Sequence, residues 1–317
     1  MSTQKWARSS LRQLSKGLTA AGQAISPPTV GRLLRKLGYA LHVNAKKVEA
    51  SATHPDRDAQ FEHIAAQRQH FQAAGLPIIS VDTKKKELIG NFKNAGQAWN
   101  REAEAVNVHD FPQDALGRAV PYGIYDVINN RGTVYVGSSA DTPRFAVDAI
   151  TRWWADNGRA VFPQAAEVLI LADAGGSNGY RSRMLRYTTT LVWKQQLQEQ
   201  LSDRHGLTVT VCHYPTGCSK WNPIEHRLFS HISLNWAGQP LRTWDTLLAY
   251  VRGTTTDTGL EVQAFNVAVY RNTLQDRLYE NGQSVSNAEM KTLNLERHTV
   301  CPQWNYTIRT RPDRAPG

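Results

Sequence analysis

Residues 75–87 read GLPIISVDTKKKE. Ile78, Ile79 and Val81 form a short apolar run bounded by glycine and proline, the pattern of a buried strand. The run ends on a carboxylate, Asp82, and three lysines follow almost at once, Lys84, Lys85 and Lys86. An acid at the end of a buried strand, set beside a cationic run, needs a partner. The segments on either side indicate which.

After a polar, irregular stretch over 83–120, YGIYDVI (122–128) and GTVYVGSS (132–139) read as two strands, with NNRG (129–132) as the turn between them. The segment 142–158 is a helix with Phe145, Ala149 and Trp153 in register, and AEVLILAD (166–173) is a continuous apolar strand ending in Asp173. A long helix over 182–206, a strand LTVTVCHYP (207–215) and a helix from NPIEHRLFSHISLNW (222–236) follow. Three hairpin-connected strands, then alternating units with parallel pairing, is the order of an RNase H-like mixed sheet flanked by helices. The fold class expected is therefore α/β.

In such a sheet, groups at the carboxyl ends of strands face a common crevice. Asp82 and Asp173 end strands, and Glu225 stands in the first turn of the last helix. Three carboxylates meeting there repel one another unless a cation lies among them. Hard divalent ions, two Mg²⁺ or Mn²⁺, take oxygen ligands and leave positions for phosphate oxygens. Each acid also has a bland explanation. Asp82 can cap a turn, Asp173 can shape the Gly-rich loop that follows it, and Glu225 can favour a helix N-terminus by charge. Singly those explanations outweigh a catalytic one; the three positions together, in a basic chain, reverse the preference. Asp126, Asp141 and Asp110 are weaker candidates. The Gly-rich loop lacks a P-loop lysine, and Ser177 and His213 suggest no nucleophilic triad.

The 317 residues carry a formal net charge of +10 at an ordinary 41% hydrophobic content. A folded protein with a polyanionic partner is expected, a merely basic enzyme being the alternative. The three cysteines, Cys212, Cys218 and Cys301, are too few and wrongly spaced for a disulfide framework or a zinc site. No apolar leader and no run near membrane-spanning length is present, so a soluble, cytoplasmic, nucleoid-associated protein with no membrane contact is expected. Near the start, Leu11, Leu14 and Leu18 have helical spacing. Ser26 caps a second helix, with Val30, Leu33, Leu34 and Leu37 on one side and Thr29, Arg32, Arg35 and Lys36 on the other. This is the shape of a DNA-binding helix-turn-helix, or of an ordinary solvated hairpin of helices. The expected organisation is a helix-turn-helix segment over 1–45, a linker and connecting helix over 46–75, the catalytic domain over 76–252 and a C-terminal extension over 253–317. The DNA-binding residues expected are Arg32, Arg35, Lys36, Lys84, Lys85, Lys86, Arg181 and Lys220.

The stretches ISVDTKKKELIGNFKNAGQAW, PYGIYDV, LADAGGSNGYRSR, SKWNPIEHRLFSHISLNW and WNYTI, preceded by TVGRLLRKLGYAL and HPDRDAQF, resemble the Rhodopirellula-type DDE transposases of bacterial insertion sequences. The similarity runs from about residue 9 to residue 308. It implies Asp82, Asp173 and Glu225 as the three catalytic acids, divalent metal, and cutting and joining at transposon ends. Strand transfer between two ends further implies a homo-oligomer on DNA. The chain has GSSADT (137–142) where the family carries GVDHDT or a similar stretch, and fewer residues precede SLRQLSK than in relatives, the pattern of a truncated or split copy. Two other functions fit parts of the sequence: a non-catalytic DNA-binding regulator derived from such an element, and an RNase H-like nuclease without joining activity.

Overall fold

A computed structural model describes residues 10–39, 54–98, 102–108, 111–138, 141–178, 187–267 and 291–314. They fall into two compact units, 1–53 and 54–317.

The first unit contains α1 (Leu11–Ala20) and α2 (Pro27–Lys36). Ser10 accepts from the Gln13 backbone while the Gln13 side chain reaches back, a reciprocal cap that satisfies two free donors of the first turn. Ser26 caps α2, and two prolines occupy its start, where missing N–H groups cost nothing. Ser15 Oγ donates to the Ile25 carbonyl across 2.6 Å and tightens the turn between the helices. The expected apolar stripe of α2 is only partly covered. Val30 is buried, but Leu33 and Leu37 are 39% and 71% exposed.

The second unit is built on a mixed sheet. Its strands are β1 (Ile78–Thr83), β2 (Glu87–Ile89), β3 (Gly117–Asp126), β4 (Arg131–Gly137), β5 (Glu167–Ala172), β6 (Thr208–His213), β7 (Glu261–Asn266), β8 (Leu295–Arg297) and β9 (Asn305–Ile308). The order is β7-β4-β3-β1-β5-β6-β9-β8, with β2 paired to β3. β4, β3 and β1 are antiparallel, and β5 and β6 continue parallel to β1. This is the mixed sheet expected, with more strands. β7 pairs in parallel with β4, and β9 runs antiparallel to β6. Residues 253–317, expected as an extension, thus supply three strands to the sheet itself. Their signal is weak because β7 and β8 are edge strands with partly polar faces, and β9 is four residues long.

Helices cover both faces, which is why β1 and β5 read as nearly continuous apolar runs. On one face Ile79, Val81, Tyr122 and Ile170 pack with α4 (Pro143–Trp153) and with Trp193 of α6 (Tyr187–Gln196). α4 runs on through a wide π-helical turn, Trp154–Gly158, into the short α5 (Arg159–Val161). A similar π-helical turn over Leu197–Asp203 continues α6. On the other face α3 (Arg57–Ala73) sets Ile64 and Phe71 against Ile78, Leu169 and Leu171. Beside it, a π-helical turn (Glu225–Phe229), α7 (Ser230–Asn235) and α8 (Trp244–Arg252) pack on β3 and β4. Two glycines let the Glu225 helix come close. A Cβ at Gly123 would lie 2.5 Å from Phe229, and one at Gly132 2.5 Å from Leu228.

Candidate active site

β1 and β5 are parallel neighbours, with Val81 opposite Ala172. Asp82 and Asp173, one residue further along each strand, therefore leave the sheet side by side. Asp82 lies opposite Gly123 of β3, the residue on which the Glu225 helix rests. Glu225 comes near enough to both aspartates for its charge to raise their pKa values.

A buried polar clamp sets the position of Glu225. Ser80 Oγ donates to Asn222 Oδ1 across 2.5 Å and accepts from the Ile224 N–H across 2.9 Å. Asn222 Nδ2 donates to the Val81 carbonyl. Ser80 and Asn222 are both fully buried. Two residues before Asp82 and three before Glu225, the two segments are tied together. Nothing in the local pattern marks either residue: Ser80 reads as a small interruption in an apolar strand, and Asn222 as a helix cap.

Burial, followed by the charges of Asp173 and Glu225, holds the Asp82 carboxyl well above the usual carboxylate range. Burial also raises Asp173 to about 6, with Glu225 and Asp141 adding to the shift. Metal-free, the cluster therefore keeps protons that ordinary aspartates lose. Among the described residues, no three His, Cys, Asp or Glu side chains are grouped so that they could hold a metal ion as they stand. Yet the donor set is all oxygen, and the buried Asp173 Oδ1 has no hydrogen-bond partner among the described residues. That set fits a hard divalent cation.

The other acids separate. Asp126 accepts from the Ile128 and Asn129 N–H groups and from the Asn129 side chain. It closes the β3–β4 hairpin, away from Asp82, as strand-end aspartates commonly do. Asp141 adjoins the site: Thr83 Oγ1 donates to Asp141 Oδ1 across 2.8 Å. Asp110 lies outside the described residues. Ser177 and His213 have separate partners, Thr83 for the first and the Asp173 carbonyl and Tyr306 for the second.

Lys85 and Lys86 are exposed, while Lys84 turns inward and is 7% exposed. Its ammonium pairs with Glu87 at 3.4 Å and lies 4.5 Å from the ring centre of Trp236. Lys84 and Lys85 line one side of a cleft of about 570 Å³ that Glu225, Lys93, Asn94 and Ser230 also border. Lys220 is exposed, and so are Arg32, Arg35 and Lys36 of α2. Arg181 lies outside the described residues.

An antiparallel strand set continued by parallel strands, with acids side by side at the ends of β1 and β5 and a third on the covering helix, defines an RNase H-like α/β protein. The chain belongs to the family described as Rhodopirellula transposase DDE domain, which matches residues 1–310. No curated protein matches the sequence. Among solved structures, it is similar to a Mos1 transposase paired-end complex with the left transposon end, at 13% identity and a TM-score of 0.43 over 77% of this chain and 65% of that one. A pre-cleavage Mos1 transpososome is similar at 12% identity and a TM-score of 0.45, covering 77% of this chain and 66% of that one. The chain thus spans just under two thirds of the length of these proteins. No helix among the described residues is long and apolar enough to cross a membrane.

Proposed function

We propose that the chain is a metal-dependent DNA strand-transfer enzyme acting at the ends of an insertion sequence. The observation that carries this is the convergence of Asp82, Asp173 and Glu225 from three separate elements of a DDE-family chain. Asp82, Asp173 and Glu225 would hold Mg²⁺ or Mn²⁺. When bound, two such ions supply activation of an attacking hydroxyl and stabilisation of the leaving oxygen in an in-line phosphoryl transfer. Water first attacks a phosphodiester at the element end and frees a 3′-hydroxyl. That hydroxyl then attacks a target phosphodiester, joining the element end to the target's 5′ phosphate and releasing the target's 3′-hydroxyl.

The chain's own residues have distinct parts in this. The Ser80–Asn222 clamp orients Glu225 toward the strand ends. Lys85 and Lys86 draw the phosphate backbone to the acids, and Lys220 and Arg181 add further cations for DNA. Lys84 supports the cleft wall from within. Arg32, Arg35 and Lys36 on α2 meet DNA at the element end, so residues 1–45 bind and the sheet cuts. Two ends held for joining imply more than one copy of the chain on DNA.

A labelled element end incubated with target DNA and Mg²⁺ tests the proposal. Joined products support it. Cleavage without joining points to a nuclease, and binding alone to a regulator; either result overturns the proposal.

A further inference from the structure

We propose that His213 is a positioning residue for Asp173, oriented by a one-way chain of hydrogen bonds that begins at Trp193 and passes through Tyr306 of the C-terminal strand. The role rests on Asp173 being a metal-binding acid.

Trp193 Nε1 donates to the Tyr306 hydroxyl across 2.8 Å. That hydroxyl is 3.2 Å from His213 Nε2, and His213 Nδ1 is 3.0 Å from the Asp173 carbonyl oxygen. Both ends of the chain set its direction. An indole N–H can only donate, and a carbonyl oxygen can only accept. Tyr306 therefore accepts from Trp193 and gives its own hydrogen to Nε2. Nε2 then accepts, so the imidazole proton sits on Nδ1 and points at Asp173. A tautomer is inferred from its partners, and here the partners at both ends agree.

The location gives the chain its purpose. β5 and β6 are in register to Ala172 opposite His213, and the bond from the Tyr214 N–H to the Ala172 carbonyl continues that ladder. The next carbonyl, that of Asp173, is held by a side chain instead. Trp193, Tyr306 and His213 are all fully buried, so no water competes for these groups. Lys194 Nζ lies 4.4 Å from the ring centre of Tyr306 and holds that ring on its face. The backbone of the second acid is thereby braced by β9, whose sequence lies more than 130 residues later. Groups that orient a metal-binding residue typically matter about 10–100-fold in metal affinity.

Wild type, Tyr306→Phe, His213→Asn and His213→Ala would be compared in three measurements. These are the rise in melting temperature on Mn²⁺ titration, DNA binding without metal, and the ¹⁵N signature of the histidine tautomer. Asn carries a donor where His carries Nδ1, so His213→Asn should hold Mn²⁺ within about threefold of wild type. Tyr306→Phe changes no volume of consequence, strips His213 Nε2 of its donor and frees the ring to turn from the Asp173 carbonyl. It and His213→Ala should weaken Mn²⁺ binding about tenfold or more, with metal-free DNA binding unchanged. Equal Mn²⁺ affinity in wild type and Tyr306→Phe overturns the positioning role even if His213→Ala fails to fold. A wild-type chain with the Nδ1–H tautomer but no Mn²⁺ response overturns the metal-binding role of Asp173, and the positioning role with it, while leaving the hydrogen-bond chain intact.

Discussion

Ser80 Oγ and Asn222 Oδ1 lie 2.5 Å apart across 142 residues of sequence, and this buried contact places Glu225 beside Asp82. Ser80→Ala removes the donor to Asn222 and leaves the buried Ile224 N–H without its acceptor. The stability cost expected is about 1–3 kcal/mol. Cleavage should fall more than tenfold, because the helix start that carries Glu225 is released. Denaturant unfolding and an end-cleavage assay on the same preparation check both. Full cleavage by a folded Ser80→Ala variant would show that the clamp does not set the acid.

Gly123 makes the same point by its lack of a side chain. Gly123→Ala places a methyl 2.5 Å from Phe229 Cε1 and 2.9 Å from Ile224 Cδ1. Crowding of this kind costs about 1–3 kcal/mol. Pairing it with Phe229→Leu should restore much of the stability and cleavage. If the double variant is worse by the sum of the two single effects, the contact is not the cause.

The raised acids predict how metal-free stability depends on pH. Asp173 rises from an ordinary 3.8 to about 6 in the folded chain. Between those values the folded state holds a proton that the unfolded state has lost, so stability falls as pH rises from about 4 to 6. Asp82 shifts in the same direction and continues the trend upward. Mg²⁺ should oppose the loss, since it binds the ionised carboxylates. Asp173→Asn should flatten the profile, abolish cleavage and spare DNA binding. Thermal melts across this range, with and without Mg²⁺, check this, and a flat metal-free wild-type profile would show that burial does not hold the protons on these acids.

The lysine run divides. Lys85→Ala with Lys86→Ala changes exposed positions and should alter stability by no more than about 0.5 kcal/mol while slowing cleavage. Lys84→Ala strips Glu87 of its buried partner and Trp236 of the cation over its ring, and should cost roughly 3 kcal/mol. Equal stability losses in the two variants would contradict this division.

On α2, Arg32 and Arg35 are exposed. Changing both to Ala should weaken DNA binding and reduce the slope of log affinity against log salt by about 0.9 for each lost phosphate contact. Titrations at several salt concentrations read this directly, and an unchanged slope removes these arginines from the interface.

Much of this architecture was legible in the residues alone, because its causes are local. Ser10, Ser26 and Thr142 cap helices through bonds to residues three positions away. The runs that became β1 and β5 are largely apolar because both sheet faces are covered, and the acids at Asp82 and Asp173 stand out against them. What local pattern could not decide depended on pairing between distant segments. β7, β8 and β9 become strands only when β4 and β6 offer their edges. Asp126 and Asp141 are equivalent candidates in sequence, yet the hairpin claims the first and Thr83 the second. Lys84 looks like its two neighbours until the fold brings Glu87 and Trp236 against it. Ser80, Asn222 and His213 carry no signal of their own, because a buried polar group is recognisable only by the partner it meets, and each of these partners comes from another part of the fold.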